Sequence, residues 1–204
     1  MSRSILVFLS TFVLNKYKLK MKNIILFTVF FCNILTVFAQ KEENMEKIKN
    51  ETPVRYSNSV VINASIDTVW SVLTDINNWS SWQTDIKKAK LFGELHSKST
   101  FEWKSGGINI NSTLQIVEMN KQFGWTGKSL GIFAVHNWFL SEKENNTTLR
   151  VEESMEGFLA KFMKKTLNKK LETSLKLWLD LLKTESEKRM HLNIKTSCIL
   201  RRYL

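Results

Sequence analysis

The sequence predicts an α+β fold in which a curved antiparallel β-sheet wraps around a long C-terminal helix, with two short helices after the first strand. Residues 60–91 pass from a strand pattern through a capped helix and a tryptophan-marked turn into a second strand pattern. Several segments with period-two alternation follow, separated by turn residues. Residues 159–189 form an amphipathic segment without proline or glycine, which as a helix would be about 45 Å long. Such a helix can lie across a whole sheet.

The first strand and the two short helices are marked by local signals. Residues 55–63 alternate as a strand, and Ser65 is a good N-cap for a helix whose first turn contains Asp67. The apolar residues that recur with helical spacing are Ile66, Val69, Trp70, Leu73 and Ile76. Trp79 and Trp82 are three residues apart, so a second short helix would place both on one side.

The middle of the chain predicts an antiparallel meander. Phe101 and Trp103 alternate with charged residues, and the two glycines at 106–107 form a turn. Four apolar residues then share one parity, with polar residues opposite: Ile108, Ile110, Leu114 and Ile116. Further strand patterns begin at Phe123, at residue 132 and at residue 147, the last two separated by a polar turn at 142–146.

The N-terminus reads as a secretory signal peptide, residues 1–39. Lys22 supplies a basic region, residues 24–37 an apolar region, and residues 37–39 a cleavage site. Residues 21–39 form the signal itself, with 1–20 as an upstream extension. We therefore expect an exported protein, periplasmic or secreted; the alternative is an uncleaved segment that anchors the chain in the membrane. A linker (40–54), one domain (55–189) and a loose tail (190–204) would follow.

Composition excludes several classes of function. The net charge is +11, but five positive charges and no acid precede residue 40, which leaves +6 for the rest. Most aromatic residues have apolar neighbours and are not interleaved with arginine or lysine, so we expect no nucleic-acid partner. The three histidines, His96, His136 and His191, are not spaced as metal ligands are, so we expect no metal site. The sequence has no glycine-rich phosphate-binding loop, so we expect no cofactor. After signal cleavage Cys198 would be alone, so no internal disulfide can form.

Two polar residues lie among apolar ones on neighbouring strand patterns. His136 shares parity with Trp138, and Glu153 shares parity with Val151 and Met155. If those faces line a cavity, His136 and Glu153 are the candidate catalytic pair for acid/base chemistry, or they contact a ligand, or the histidine is purely structural. The predicted ligand-binding residues are Trp82, Trp103, Trp125, His136, Trp138, Glu153, Met155, Met163, Leu167 and Leu171.

A run of lysines marks the start of the final helical segment. Lys161, Lys164, Lys165, Lys169 and Lys170 occur there without an acidic neighbour. Cations near a helix N-terminus are electrostatically unfavourable, so helix stability does not explain them. They would face an anionic membrane surface or simply form a solvated face.

The chain resembles the START-like superfamily, also called SRPBCC or polyketide cyclase/dehydrase-like. The resemblance covers about residues 55–188 and rests on residues 65–75 with the Trp79/Trp82 pair, on residues 136–140, and on Thr148, Glu153 and residues 157–159. It implies a helix-grip fold with a deep cavity between sheet and helix. Members include lipid and hormone binders and aromatic cyclases, whereas the signal peptide departs from the many cytoplasmic relatives.

The function expected from these observations is binding of a hydrophobic small molecule or lipid in an internal cavity, by an exported non-catalytic carrier or sensor. One alternative is a cyclase/dehydratase-type enzyme that uses His136 and Glu153 as an acid/base pair. The other alternative is a membrane-surface-associated lipid-handling protein.

Overall fold

Residues 51–200, which the computed structural model describes, form one antiparallel sheet and four helical elements. The strands are β1 (Val54–Ile62), β2 (Ile86–Phe92), β3 (Thr100–Ser105), β4 (Ile108–Glu118), β5 (Gln122–Ser129), β6 (Ile132–Lys143) and β7 (Asn146–Glu156). The helices are α1 (Ile66–Thr74), a 3₁₀ helix (Ile76–Ser81), α2 (Phe158–Phe162) and α3 (Lys164–Leu200). The predicted signal peptide and most of the predicted linker lie outside the described residues.

The strands are arranged in the order β1-β7-β6-β5-β4-β3-β2. Strands β2 to β7 are joined by successive hairpins, and β1 pairs with β7, so the first and last strands are neighbours. The hairpin between β6 and β7 turns at Glu144 and Asn145, both with positive φ, as two-residue hairpin turns require. The predicted α+β fold, a curved antiparallel sheet with a long C-terminal helix, is confirmed.

Helix α1 begins as its sequence predicts. Ser65 is the N-cap, with extended backbone, and its Oγ accepts a hydrogen bond from the backbone N–H of Thr68 at 3.4 Å. The second short helix is a 3₁₀ helix in which Trp79 is fully buried, and Trp82 follows at its end. The indole N–H of Trp79 donates to the carbonyl oxygen of Leu73 at 2.9 Å, which ties the two short helices together.

A β-bulge in β4 changes the predicted face of one residue. Leu114 lies opposite Trp125, but Ile116 lies opposite Gly124, because the register shifts between the two. Ile116 therefore does not share the inward face of Leu114, and its side chain instead packs where a Cβ on Gly124 would lie. The single parity predicted for these apolar residues is wrong at Ile116.

The C-terminal helical region differs from its prediction at both ends. It is interrupted at Met163, so that α2 and α3 replace one continuous helix. The interruption changes the helical phase and leaves Ala160 buried while Phe162 is exposed. Helix α3 does not stop at Arg189 but continues to Leu200, since no proline or glycine occurs there to end it, and the loose tail predicted from residue 190 is corrected accordingly. Within residues 51–200 no helix has both the length and the apolar character needed to cross a membrane.

Helix α3 lies alongside β1 and is attached to both of its ends. Near the start of the strand, Asn168 accepts a hydrogen bond from the backbone N–H of Arg55 at 3.2 Å and donates to the carbonyl oxygen of Pro53 at 3.1 Å. Near its end, the backbone N–H of Asn63 donates to Glu187 at 2.9 Å. The buried apolar residues of α3 are Leu171, Leu175, Trp178, Leu179 and Leu182, and Ser186 is buried as well.

The hydrogen bond between Glu187 and the backbone of Asn63 predicts that the stability of the fold depends on pH. Burial alone would raise the pKa of Glu187, but the Asn63 N–H and the Lys183 ammonium 3.0 Å away lower that pKa below its ordinary value. A carboxyl group with a lowered folded-state pKa stabilises the fold above its unfolded pKa, about 4.3, and that stability is lost as the pH falls through the folded pKa. Glu187→Gln should therefore cost about 1 kcal/mol of unfolding free energy at pH 7 and less at pH 3.

Urea unfolding of both proteins at the two pH values measures this difference. The matched control is Glu144→Gln on the β6–β7 turn. The Glu144 side chain is 82% exposed, so this substitution should change the unfolding free energy little at either pH. If Glu187→Gln lowers the unfolding free energy by the same amount at pH 3 and pH 7, the charge of Glu187 does not stabilise the fold.

Candidate ligand site

Inward-facing residues on five neighbouring strands form one row across the sheet. Leu114 lies opposite Trp125, and Trp125 lies opposite His136. His136 in turn lies opposite Glu153, which lies opposite Tyr56 on β1. Because directly opposite residues on antiparallel strands point to the same face, this register brings residues far apart in sequence into contact. The row places one histidine and one carboxylate in the middle of an aromatic face.

His136 and Glu153 form a hydrogen-bonded pair inside this row. The distance between Nδ1 of His136 and Oε2 of Glu153 is 2.6 Å. His136 is only 3% exposed, and the Glu153 side chain is 13% exposed. Because an ionised carboxylate only accepts hydrogen bonds, the imidazole donates through Nδ1–H, and in the neutral ring Nε2 keeps its lone pair. Nε2 is buried and has no hydrogen-bond partner among the described residues.

The imidazole ring is also held by aromatic neighbours. Trp125 stacks on it with the ring centroids 4.1 Å apart and the planes 9° from parallel. Trp138 lies 5.3 Å away on the same strand, and Trp178 of α3 lies 6.5 Å away. The hydrogen bond to Glu153 and these rings together fix the orientation of the imidazole and the direction of Nε2.

The pair lies at one side of a larger aromatic cluster between the sheet and α3. Trp79 is its centre: its ring is 5.2 Å from Trp178 and 5.5 Å from Trp125. The other aromatic residues in contact with Trp79 or Trp178 are Trp82, Phe101, Trp103 and Trp138. Through Trp178, helix α3 thus contacts the 3₁₀ helix at Trp79, the residue that follows it, Trp82, and the two strands β3 and β6.

Some polar atoms of the cluster are paired and others are not. The indole N–H of Trp103 donates to Ser112 Oγ at 3.0 Å. The indole nitrogens of Trp82 and Trp138 and the amide nitrogen of Gln83 are buried without a hydrogen-bond partner among the described residues. A buried donor without a partner costs about 1–3 kcal/mol, so such atoms are uncommon in protein interiors. Nε2 of His136 is a further buried polar atom whose hydrogen-bonding capacity is unused among the described residues.

The inner face continues from His136 towards the β5–β6 turn with small or flexible residues. The next inward positions on β6 and β7 are Ala134 and Met155, which lie directly opposite one another. Both are half-buried, in contrast to His136, and Leu167 of α3 is half-buried as well. At Ala134, Met155 and Leu167 the inward face is therefore less tightly covered than at His136.

Lys176 of α3 lies near the other end of the row. It donates a hydrogen bond to Glu172 at 2.6 Å, and this bond, the charge of Glu172 and the nearby Tyr56 raise the pKa of Lys176 above its ordinary value. Tyr56, half-buried on β1, therefore faces a fixed cation at the edge of the helix. Among residues 51–200 no three histidine, cysteine or acidic side chains come close enough to hold a metal ion.

The structure brings most of the predicted ligand-binding residues to this interior. His136 and Glu153 are in contact, and Leu171 is buried on α3. The predicted tryptophans all belong to the aromatic cluster: Trp82, Trp103, Trp125 and Trp138. Met155 and Leu167 are half-buried, whereas Met163 is 37% exposed in the break between α2 and α3 and is not part of the cluster.

Sequence reasoning did not assign several residues to the site. Trp79 is not among the predicted ligand-binding residues, yet its ring contacts four others in the cluster, those of Phe101, Trp103, Trp125 and Trp178. Trp178 is likewise not among the predicted ligand-binding residues. Its spacing from Leu171 and Leu175 could have predicted that it faces the interior. Tyr56 and Gln83 gave no signal, because their positions depend on which strands and turns become neighbours.

The sheet, the gripped helix and the polar pair on an aromatic wall define the helix-grip class of domains. The sequence profile of the family described as "Polyketide cyclase / dehydrase and lipid transport" matches residues 53–187, and the chain belongs to this family. The START-like resemblance is thereby confirmed. The family's description points to hydrophobic ligand binding or to cyclase/dehydrase-type chemistry.

Solved structures with the same fold support this assignment. A hypothetical protein from Helicobacter pylori has a TM-score of 0.63 and 20% identity, over 68% of this chain and 91% of that one. The Zhui aromatase/cyclase from Streptomyces sp. R1128 has a TM-score of 0.59 and 13% identity, over 66% and 94%. A START superfamily protein from Mycobacterium smegmatis has a TM-score of 0.52 and 17% identity, over 68% and 97%. No curated protein matches the chain.

Proposed function

We propose that this protein binds a hydrophobic small molecule or lipid between the sheet and α3, as a non-catalytic carrier or sensor. The observation that carries the proposal is Nε2 of His136, which is buried among aromatic rings, fixed in direction by Glu153 and without a partner among the described residues. A protein interior that served packing alone would gain stability by replacing this pair with apolar side chains.

The surroundings of Nε2 define the chemistry of the ligand. The indole faces of Trp125 and Trp138 favour a flat or rigid apolar body. Nε2 accepts a hydrogen bond from a ligand hydroxyl, and the unpaired indole N–H of Trp138 donates to a ligand oxygen. A largely apolar molecule with one hydroxyl group fits both atoms, each hydrogen bond contributing about 1 kcal/mol.

Native mass spectrometry of the full chain purified from its host tests this proposal. We expect a bound organic molecule, and His136→Leu should lower its affinity by at least about tenfold because Nε2 is removed while apolar volume is kept. The matched control is His191→Leu, an exposed histidine on α3, which should retain the ligand. An empty wild-type protein that also fails to take up apolar hydroxylated compounds would refute the proposal.

We also propose that the domain acts after export, periplasmic or secreted. The support is the sequence of residues 21–39, which has the basic, apolar and cleavage regions of a signal peptide. The denatured mass of the same host-purified protein gives its mature N-terminus. A chain that begins at Gln40 supports export with cleavage, whereas a full-length chain in the membrane fraction supports the uncleaved anchor.

A second candidate function is an enzyme of the cyclase/dehydratase type. The observation that favours it is again the pair of His136 and Glu153, 2.6 Å apart, with Nε2 directed away from the carboxylate. Nε2 can remove a proton from the carbon next to a ligand carbonyl, and the carboxylate stabilises the imidazolium that forms. The imidazolium can then return the proton to a leaving hydroxyl, which departs as water.

The third candidate is a lipid-handling protein that works at a membrane surface. The five lysines between Lys161 and Lys170 support it, since every one of them is exposed. In this case the interior site and a lipid-facing surface would act together.

A further inference from the structure

Three large apolar side chains are exposed at one end of the sheet. Phe158 and Phe162 of α2 are 82% and 80% exposed, and their rings stack on one another with centroids 6.4 Å apart. Leu130, in the turn between β5 and β6, is 68% exposed. Single exposed apolar residues are ordinary, but a group of large ones marks an interaction surface. We call these three residues the apolar tip.

The backbone holds the parts of the apolar tip together. Gly157 precedes Phe158, and Gly131 follows Leu130. The two glycines are so close that a Cβ on Gly157 would overlap the carbonyl oxygen of Gly131, and Gly157 has a φ of +122°, which other residues rarely adopt. The turn and helix α2 therefore pack against each other through these two glycines. A residue with a side chain at position 157 would be strained.

Positive charge surrounds the apolar tip. Residues 157–171 contain five lysines and no acidic residue, and Lys161 lies between the two exposed phenylalanines. Lys128 on β5 adds a further cation and lies 5.8 Å from the ring of Phe133. Lys164 and Lys165 occupy the first turn of α3, where the helix dipole disfavours cations. The fold thus keeps positive charge next to exposed aromatic rings although helix stability opposes it.

We propose that the apolar tip inserts into the headgroup region of an anionic phospholipid bilayer, with the lysines of residues 157–171 contacting the lipid phosphates. Exposed phenylalanine and leucine flanked by lysine is the composition of surfaces that bind membranes by combined apolar insertion and charge attraction. Glu156 and Glu172 border this segment, but its five lysines outnumber them, so the net positive charge beside the exposed rings favours an anionic lipid surface.

The apolar tip also lies close to the candidate ligand site. Gly157 follows Glu153 by four residues along β7, a distance of about 13 Å. Ala134 and Met155, the half-buried residues of the inner wall, lie between them. A bilayer at the tip would therefore face the less tightly covered part of the ligand site. The docking deepens the third candidate function, and the transfer of a lipid between bilayer and interior rests in addition on the proposed carrier function.

Vesicle co-sedimentation of the full chain tests the docking. Vesicles of equimolar phosphatidylcholine and phosphatidylglycerol should bind the wild-type protein at least about tenfold more tightly than vesicles of phosphatidylcholine alone. The double variant Phe158→Ser with Phe162→Ser should bind the anionic vesicles at least about tenfold more weakly. Both side chains are exposed, so folding should be unaffected, and circular dichroism verifies this. All variants keep the same N-terminal segment, so their differences report the tip alone.

The matched control is Met119→Ser, an exposed apolar residue in the turn between β4 and β5, at the opposite end of β5 from Leu130, which should bind like the wild type. Equal binding of the double variant and the wild type would overturn the proposal. A concentration-dependent dimer in sedimentation velocity that the double variant abolishes, without any vesicle binding, would instead assign the tip to a second copy of the chain.

Native mass spectrometry of the same double variant separates this inference from the proposed function. If docking and ligand binding are distinct, the variant loses vesicle binding and keeps its bound molecule. A wild-type protein that binds anionic vesicles but never carries a ligand would support the docking surface and refute the carrier.

Discussion

Replacing Trp79 with alanine is expected to lower the free energy of unfolding by about 3–5 kcal/mol. The ring is fully buried and contacts Phe101 and Trp103 on β3, Trp125 on β5 and Trp178 on helix α3. The substitution leaves a cavity the size of an indole and removes the hydrogen bond to the carbonyl oxygen of Leu73, which would then be left without that donor. Urea unfolding followed by far-ultraviolet circular dichroism measures the loss.

The matched control is Phe162→Ala, which removes an exposed ring from α2 and should change stability by less than about 0.5 kcal/mol. If Trp79→Ala costs less than about 1 kcal/mol, the aromatic cluster does not hold the sheet to the helix. That result would mean that the interior is loosely packed, and it would favour a large open cavity over the contacts described for these rings.

Local signals in the sequence were sufficient for the elements that depend on neighbouring residues. The N-cap at Ser65 and the period-two alternation of β3 both follow from interactions within a few residues. The glycine turn at 106–107 does so as well, because two residues with positive φ already determine a hairpin. These signals established the order of strands and helices, and the order in turn identified the fold class.

Features that depend on packing between distant elements were not predictable in the same way. The bulge between Leu114 and Ile116 leaves no mark in the alternation, since it exists only through pairing with β5. The break at Met163 occurs in a segment with good helical propensity throughout. Ala160 before the break and Leu171 after it are both buried, and this packing against other elements is not visible in the local sequence.

The candidate site combines both kinds of feature. The parity of His136 on its strand, and of Glu153 on another, placed both residues on inward faces. Their contact depends on the register between β6 and β7, which the turn at Glu144 and Asn145 fixes. The contribution of helix α3 through Trp178 depends on how the helix lies on the sheet, and alternation along a strand carries no information about that.

The polar pair has the same geometry in a carrier and in an enzyme, so its position does not distinguish them. In a carrier, Glu153 only orients the imidazole of His136, so a neutral hydrogen-bond acceptor at position 153 would be sufficient. In an enzyme, the negative charge of Glu153 must stabilise a positive imidazolium at the moment of proton transfer. The two functions therefore differ in whether they need the charge of residue 153 or only its hydrogen-bond acceptor.

Replacing Glu153 with glutamine separates these requirements. The amide oxygen of glutamine still accepts from Nδ1–H of His136, so Nε2 keeps its direction and its lone pair. For the proposed carrier we expect ligand affinity to change by less than about fivefold, against the loss of at least about tenfold expected for His136→Leu. The measurement is a titration of each variant with the molecule released from the wild-type protein, followed by tryptophan fluorescence.

For an enzyme the same substitution should lower kcat by about 10²–10⁴, because general acid–base catalysis contributes that much and the charge that supports it is gone. The assay is loss of water from a β-hydroxy ketone in the presence of wild type, Glu153→Gln and His136→Leu. Turnover by the wild type that falls in both variants, while Glu153→Gln still binds the ligand, would reject the carrier in favour of the enzyme. Retained affinity in Glu153→Gln, with no turnover by any of the three proteins, would assign the pair to ligand binding, because only the acceptor of residue 153 would then be required.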